Sequence, residues 1–146
     1  MQKITEVNNS GILERLIVAT GVKDEQVNSN ITSSNFKIAE EPDDRELVLV
    51  HPNRLATTRE VHAFMAEHDI QPEGPDYLAR HAKDPELGLE FPVVALDSNK
   101  FWRDSRGLLY CVVLWRPLGV RYFHLFWIGY HWFDYFRFVG SRKLKP

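Results

Sequence analysis

Between Tyr122 and Phe138 the chain places ten aromatic residues in seventeen positions, with His124 and His131 among them, and the run does not alternate with polar residues. A half-buried strand must alternate, because successive side chains point to opposite faces. If this segment is sheet, both of its faces carry aromatic side chains. Two readings follow. Either the rest of the chain covers both faces, helices on one and the N-terminal segment on the other, or part of the run is an exposed aromatic patch of the kind that marks an interaction site. A domain of this size is expected to bury only one face well. The Tyr and His content favours an exposed patch, since these side chains combine contact area with a polar tip.

The remainder of the chain differs sharply in charge. Residues 1–99 carry nine Lys and Arg against eighteen Asp and Glu, whereas residues 100–146 carry nine against Asp104 and Asp134 alone. Fourteen of the eighteen Phe, Trp and Tyr lie at or beyond Phe101. An acidic front and a basic, aromatic back imply two tasks in a chain that, at 146 residues, has the length of one domain. The single cysteine, Cys111, excludes an intrachain disulfide. Leu108–Ile128 is the most apolar stretch, but Arg116, Pro117, Arg121 and His124 interrupt it, so no membrane span is expected. Met1–Val7 has no apolar signal region, and a cytoplasmic address is the default expectation.

Along the chain, Ser10 is placed to cap a short helix, Gly11–Thr20, striped by Ile12, Leu13, Leu16 and Ile17. Lys23–Asn35 offers little to bury and reads as a loop; Phe36–Ala39 reads as a short strand before an acidic turn, Glu40–Asp44. Residues 1–45 are expected to form an appendage or an oligomerisation element, and residues 46–146 the main domain. Glu46–Val50 reads as a strand that His51-Pro52 stops. Thr57-Thr58-Arg59-Glu60 is a capping-box pattern that opens a helix to about Asp69. A second helix, Asp76–Ala82, follows, and Phe91–Leu96 is a compact apolar strand. Beyond it only strands and turns are expected, which makes the fold class α+β.

Several residues resemble a known family. Phe91-Pro92-Val93-Val94-Ala95-Leu96, Trp102 followed by Gly107, Trp127, Trp132 and the terminal Arg137-Phe138-Val139-Gly140-Ser141-Arg142-Lys143 look like the end of a variable protein of a diversity-generating retroelement. The resemblance covers roughly residues 46–143. It implies a C-type lectin-like fold, two helices supporting a twisted, mostly antiparallel sheet, with a variable region over about 102–138 that error-prone reverse transcription rewrites at template adenines. It further implies a non-catalytic ligand-binding protein with a hypervariable surface, whose unidentified ligand is expected to be a protein.

That implication meets the residue types. Adenine-directed change in an asparagine codon ending in a pyrimidine cannot yield Trp, Lys, Glu, Gln or Met. Leu108–Phe136 contains no Lys, Glu, Gln or Met, although any apolar sheet could share that lack. On this reading Trp102, Trp115, Trp127 and Trp132 are packing framework. Varied, ligand-binding positions are drawn from Tyr110, Cys111, Val113, Tyr122, His124, Phe126, Tyr130, His131, Phe133 and Tyr135.

Other chemistries find weaker footing. Calcium-dependent sugar binding needs an oxygen cage, and neither Glu-Pro-Asn nor Trp-Asn-Asp occurs. His62 and His68 fall on different helical faces, so a metal trio with His81 is not expected. A Cys111–His124–Asp134 nucleophile arrangement lacks any local motif. No glycine loop is suited to phosphate. The expectation is no catalytic centre, no metal and no cofactor. Two alternatives stay open. Arg103, Arg106, Arg116, Arg121, Arg137, Arg142, Lys143 and Lys145 among aromatics could bind single-stranded nucleic acid, or the aromatic face could be a homo-oligomer interface.

Overall fold

The computed structural model describes residues 11–36 and 44–144. Ser10, Lys37–Ala39, Glu40–Asp43 and Lys145 lie outside them, and with them the expected cap and most of the short strand and acidic turn. Three helices, α1 (Ile12–Val18), α2 (Thr58–Glu67) and α3 (Pro75–His81), accompany seven strands. These are β1 (Arg45–Val50), β2 (Gln71–Pro72), β3 (Val93–Ala95), β4 (Trp102–Arg103), β5 (Leu109–Trp115), β6 (Tyr122–Trp127) and β7 (Arg137–Lys143). The fold is α+β with one mixed, mostly antiparallel sheet.

The sheet is built around β7 and β5. β7 pairs antiparallel with β1 along one edge, and its other edge takes β3 in parallel and then β2. β5 pairs with β3 and β4 on one edge and with the whole of β6 on the other. β1 and β6 are therefore the outer strands.

Alternation along the inner strands divides the apolar residues into two cores. Val93, Ala95, Val112, Leu114, Phe123 and Val139 face one side, where α1 and α3 cover them. Val94, Cys111, Val113 and Phe138 face the other, under α2 with Val61 and Met65. Strands buried on both faces read as unbroken apolar runs, which accounts for Phe91–Leu96 and Leu109–Trp115. Enclosure on both sides, the plainer of the two expectations, thus holds for most of the sheet, with the helices divided between its faces.

The first described segment is part of this body. Leu13, Ile17, Val22, Ile31 and Phe36 are buried in the first core, Phe36 at 0 % exposure. Residues 11–36 therefore belong to the domain rather than hang from it. The expectation that Lys23–Asn35 has little to bury is corrected by Ile31, at 3 % exposure. Isolated apolar residues in a polar loop carry no periodic signal, so only tertiary contact reveals their role.

Local signals explain the helices. Thr57 Oγ1 accepts the Glu60 N–H at 3.1 Å and Glu60 Oε1 accepts the Thr57 N–H at 2.9 Å, so the expected capping box starts α2. Pro75 occupies the first turn of α3, where its missing N–H is harmless. Gly140 lets α2 and β2 approach β7: a Cβ there would sit 2.5 Å from Ile70 Cγ2 and 2.7 Å from Met65 Cε.

One polar cluster is buried where β7 meets β2. Ser141, at 0 % exposure, donates to Glu73 Oε2, and Gln71 Nε2 donates to the same oxygen at 3.0 Å. Burial pushes the Glu73 carboxyl above its usual range, against the opposing pull of Ser141 and Lys100. A folded-state pKa raised above the unfolded value means that the fold holds the proton more tightly. Stability from this group is full below the unfolded carboxylate pKa and is lost as pH rises through the raised folded value. Glu73→Gln is accordingly expected to flatten that part of the stability-against-pH curve, measured by denaturant unfolding. An unchanged slope would remove Glu73 as its source.

Candidate functional site

The aromatic run resolves into three environments. Phe123, Trp132, Phe136 and Phe138 are buried; Tyr122, Phe126 and Tyr130 are half-buried; Trp127, Phe133 and Tyr135 are each 49 % exposed. Seven of the ten aromatics are therefore buried or half-buried, and the accessible aromatic surface is narrower than the sequence suggests. It lies on the connection from the end of β6 to the start of β7.

That connection, residues 128–136, is pinned by its backbone. Ala56 and Trp132 exchange both backbone hydrogen bonds, at 3.0 and 2.8 Å. Thr58 Oγ1 donates to the Ile128 carbonyl at 2.6 Å and accepts from Trp132 Nε1 at 3.0 Å. His51 Nε2 donates to the Asp134 carbonyl at 2.5 Å, and Arg137 Nη1 donates to the Tyr135 carbonyl at 3.0 Å. Under the loop, Trp132 contacts the rings of Phe126, Tyr130, Phe136 and Phe138 at 5.1–6.0 Å between centroids. Anchors outside the loop thus fix its path, while His131, Phe133, Asp134 and Tyr135 point into solvent.

Exposed side chains on a fixed backbone can supply binding area at little ordering cost. Phe133 and Tyr135 stack at 5.9 Å with 24° between their planes. Leu55 precedes Ala56 in the bridge to Trp132 and is 54 % exposed. The antiparallel bridge sets Leu55 across from Phe133 in register. Sequence reading missed it, because one exposed leucine after His51-Pro52 carries no signal.

The ten expected ligand-binding residues separate accordingly. His131, Phe133 and Tyr135 are exposed and adjacent. Tyr130 is half-buried behind them, and burial together with the neighbouring Tyr135 raises its phenol above the usual range. Tyr122, His124 and Phe126 form a half-buried row on one side of β6, with Tyr122 and His124 stacked at 5.4 Å. Burial lowers the His124 pKa, so its ring is neutral at pH 7. Tyr110 lies across the sheet, its hydroxyl accepting from Arg106 at 2.7 Å.

Two of the ten are corrected. Cys111 and Val113 are at 0 % exposure in the core beneath α2, because β5 lies inside the sheet and is covered on both faces. Burial also pushes the Cys111 thiol far up, so the expected outcome is no reaction with a thiol reagent in native buffer and full reaction in denaturant. Rapid native labelling would contradict this placement. The framework assignment of Trp127 is corrected as well. It shares the parity of Phe123 and Leu125, yet lies beyond their cover, with its indole over Gly129. Trp132 is the buried framework tryptophan, while Trp102 and Trp115 are partly buried at the core margins.

Several basic side chains bond back to the protein, although Arg103, Arg106 and Arg116 are exposed. Arg103 donates to the Gly107 carbonyl, Arg106 pairs with Asp104, and Arg116 donates to the Leu89 carbonyl. Arg121 reaches four carbonyls, and Arg137 lies over the Phe91 ring at 4.2 Å.

Among the described residues no three His, Cys, Asp or Glu side chains group to hold a metal ion, and no helix is long and apolar enough to cross a membrane. Compared with known families, curated proteins and solved structures, the chain has no match.

Proposed function

We propose that this chain is a non-catalytic ligand-binding protein whose contact surface is the aromatic loop between β6 and β7. In this reading it is a retroelement-diversified variable protein with a C-type lectin-like fold, and its ligand is another protein. The observation that carries the reading is the division of labour within residues 128–136. Backbone and buried Trp132 are fixed by Ala56, Thr58 and His51, while Phe133 and Tyr135 stand half-exposed on that support. A surface rewritten repeatedly needs this separation, because its scaffold must survive whatever side chain is installed. Tyr and Phe on a fixed support are also the side chains in which binding energy concentrates.

The flanking DNA tests this reading. A near-copy of the 3′ coding end beside a reverse-transcriptase gene is expected, differing at adenines in the codons for His131, Phe133 and Tyr135. Trp132 should be spared. Absence of such a repeat would remove the retroelement reading.

A further inference from the structure

We propose that the protein partner of the aromatic loop presents a cationic side chain, which it sets against Asp134 between Phe133 and Tyr135. This rests on the proposed use of the loop as a contact surface and names the chemistry its partner must bring. Apart from His131, residues 128–136 carry one ionisable acidic or basic side chain, Asp134. The Phe136 N–H donates to the Phe133 carbonyl at 3.3 Å, so Asp134 and Tyr135 are the central residues of an exposed turn. Asp134 is thus flanked in sequence by two aromatic residues, each 49 % exposed.

Asp134 stands apart from the rest of the basic third of the chain. The other acidic side chain beyond residue 99, Asp104, accepts from Arg106 and from the Leu108 amide. Among the described residues the Asp134 carboxylate takes part in no ion pair and no hydrogen bond. The basic side chains that reach the loop are directed elsewhere. His51 donates to the Asp134 backbone carbonyl, and Arg137 lies over the Phe91 ring and donates to the Tyr135 carbonyl. Arg54, which precedes Leu55, pairs with Glu60 at 3.5 Å.

A partner that covers both rings must also cover the carboxylate between them. Burying an unpaired charge is costly, so an apolar partner surface would forfeit through Asp134 much of what it gained on Phe133 and Tyr135. A cation removes that penalty and gains from the rings as well, because aromatic faces attract cations. The rings are braced for such a contact: Tyr135 stacks on buried Phe136 at 4.8 Å, and Phe133 meets Tyr130 edge-on at 6.0 Å. A guanidinium suits both groups, since it pairs with carboxylates and stacks on aromatic faces.

Titration of the isotope-labelled protein with N-acetyl-arginine amide, followed by NMR at constant ionic strength beside the neutral isostere N-acetyl-citrulline amide, tests the inference. Saturable shifts at the Phe133, Asp134 and Tyr135 amides are expected with arginine. Its affinity should exceed that of citrulline by about fivefold, the scale of one exposed ion pair. Asp134→Asn should erase that preference and leave the melting temperature unchanged, because the side chain is exposed and unbonded. Arginine shifts no larger than those with citrulline, a preference that survives in Asp134→Asn, or an arginine affinity unchanged in F133S/Y135S would each overturn the proposal. None of these results touches the retroelement reading, which the flanking DNA decides separately.

Discussion

Replacing Trp132 by alanine is expected to destabilise the protein by about 3–5 kcal/mol, the usual cost of truncating a buried aromatic side chain. The indole is at 0 % exposure and touches four other rings, so its loss leaves a cavity that the surrounding aromatics cannot close without moving. The same truncation removes the Nε1 donor to Thr58, whose hydroxyl also holds the Ile128 carbonyl. Trp132→Phe retains most of the ring contacts and is expected to cost clearly less. Guanidinium unfolding of the two variants checks the ranking. A loss below about 1 kcal/mol for Trp132→Ala, well under the range for large-to-small core changes, would mean that Trp132 does not carry the loop.

The second large effect is expected at Arg121. Its Nη1 donates to the carbonyls of Ala82, Asp84 and Leu87 at 3.0–3.3 Å, and its Nη2 donates to the Thr20 carbonyl at 2.9 Å. One side chain thereby ties β6 to the end of α3 and to the turn after α1. Hydrogen bonds from a charged donor contribute about 1.5–3 kcal/mol each, but these four share one guanidinium and solvent reaches it. The expected cost of Arg121→Ala is therefore about 2–4 kcal/mol in total. Arg121→Lys should recover little of it, because an ammonium cannot span four carbonyls. Since the partners are carbonyls rather than carboxylates, the loss should be nearly the same in low and high salt. A lysine variant as stable as the parent would refute the clamp.

These two residues also show what the sequence makes legible and what it hides. The α2 start was readable because a capping box is local, and β3 and β5 were readable because strands buried on both faces are continuous apolar runs. The α+β class follows from the same patterns, whereas the enclosure of the sheet on both faces overturns the expectation that a domain of this size buries only one face well. Arg121 was readable only as a charge: nothing local shows that its donors end on carbonyls as distant in sequence as Thr20. Ile31 and Phe36 escaped for the same reason, each being a single apolar residue whose burial depends on partners far along the chain.

The candidate surface was legible in outline. A non-alternating aromatic run implied either double coverage or exposure, and the structure contains both: coverage for Phe123, Trp132, Phe136 and Phe138, exposure for Trp127, Phe133 and Tyr135. Residue type could not separate them. Trp127 and Trp132 are the same residue five positions apart, one over a glycine at the end of an outer strand and the other under a pinned loop. Cys111 and Val113 carried no mark of their burial until β5 had partners on both edges and cover on both faces.

The central claim is that the path of the aromatic loop is independent of the side chains it presents. The direct measurement is amide hydrogen exchange on the triple variant H131S/F133S/Y135S, read at the Ala56 and Trp132 amides that bridge the loop to the body. Protection equal to the parent's, with little change in melting temperature, is the predicted result. Loss of protection at those two amides while the sheet amides keep theirs would show that the exposed side chains hold the loop together, and would contradict its reading as a binding surface on a fixed support.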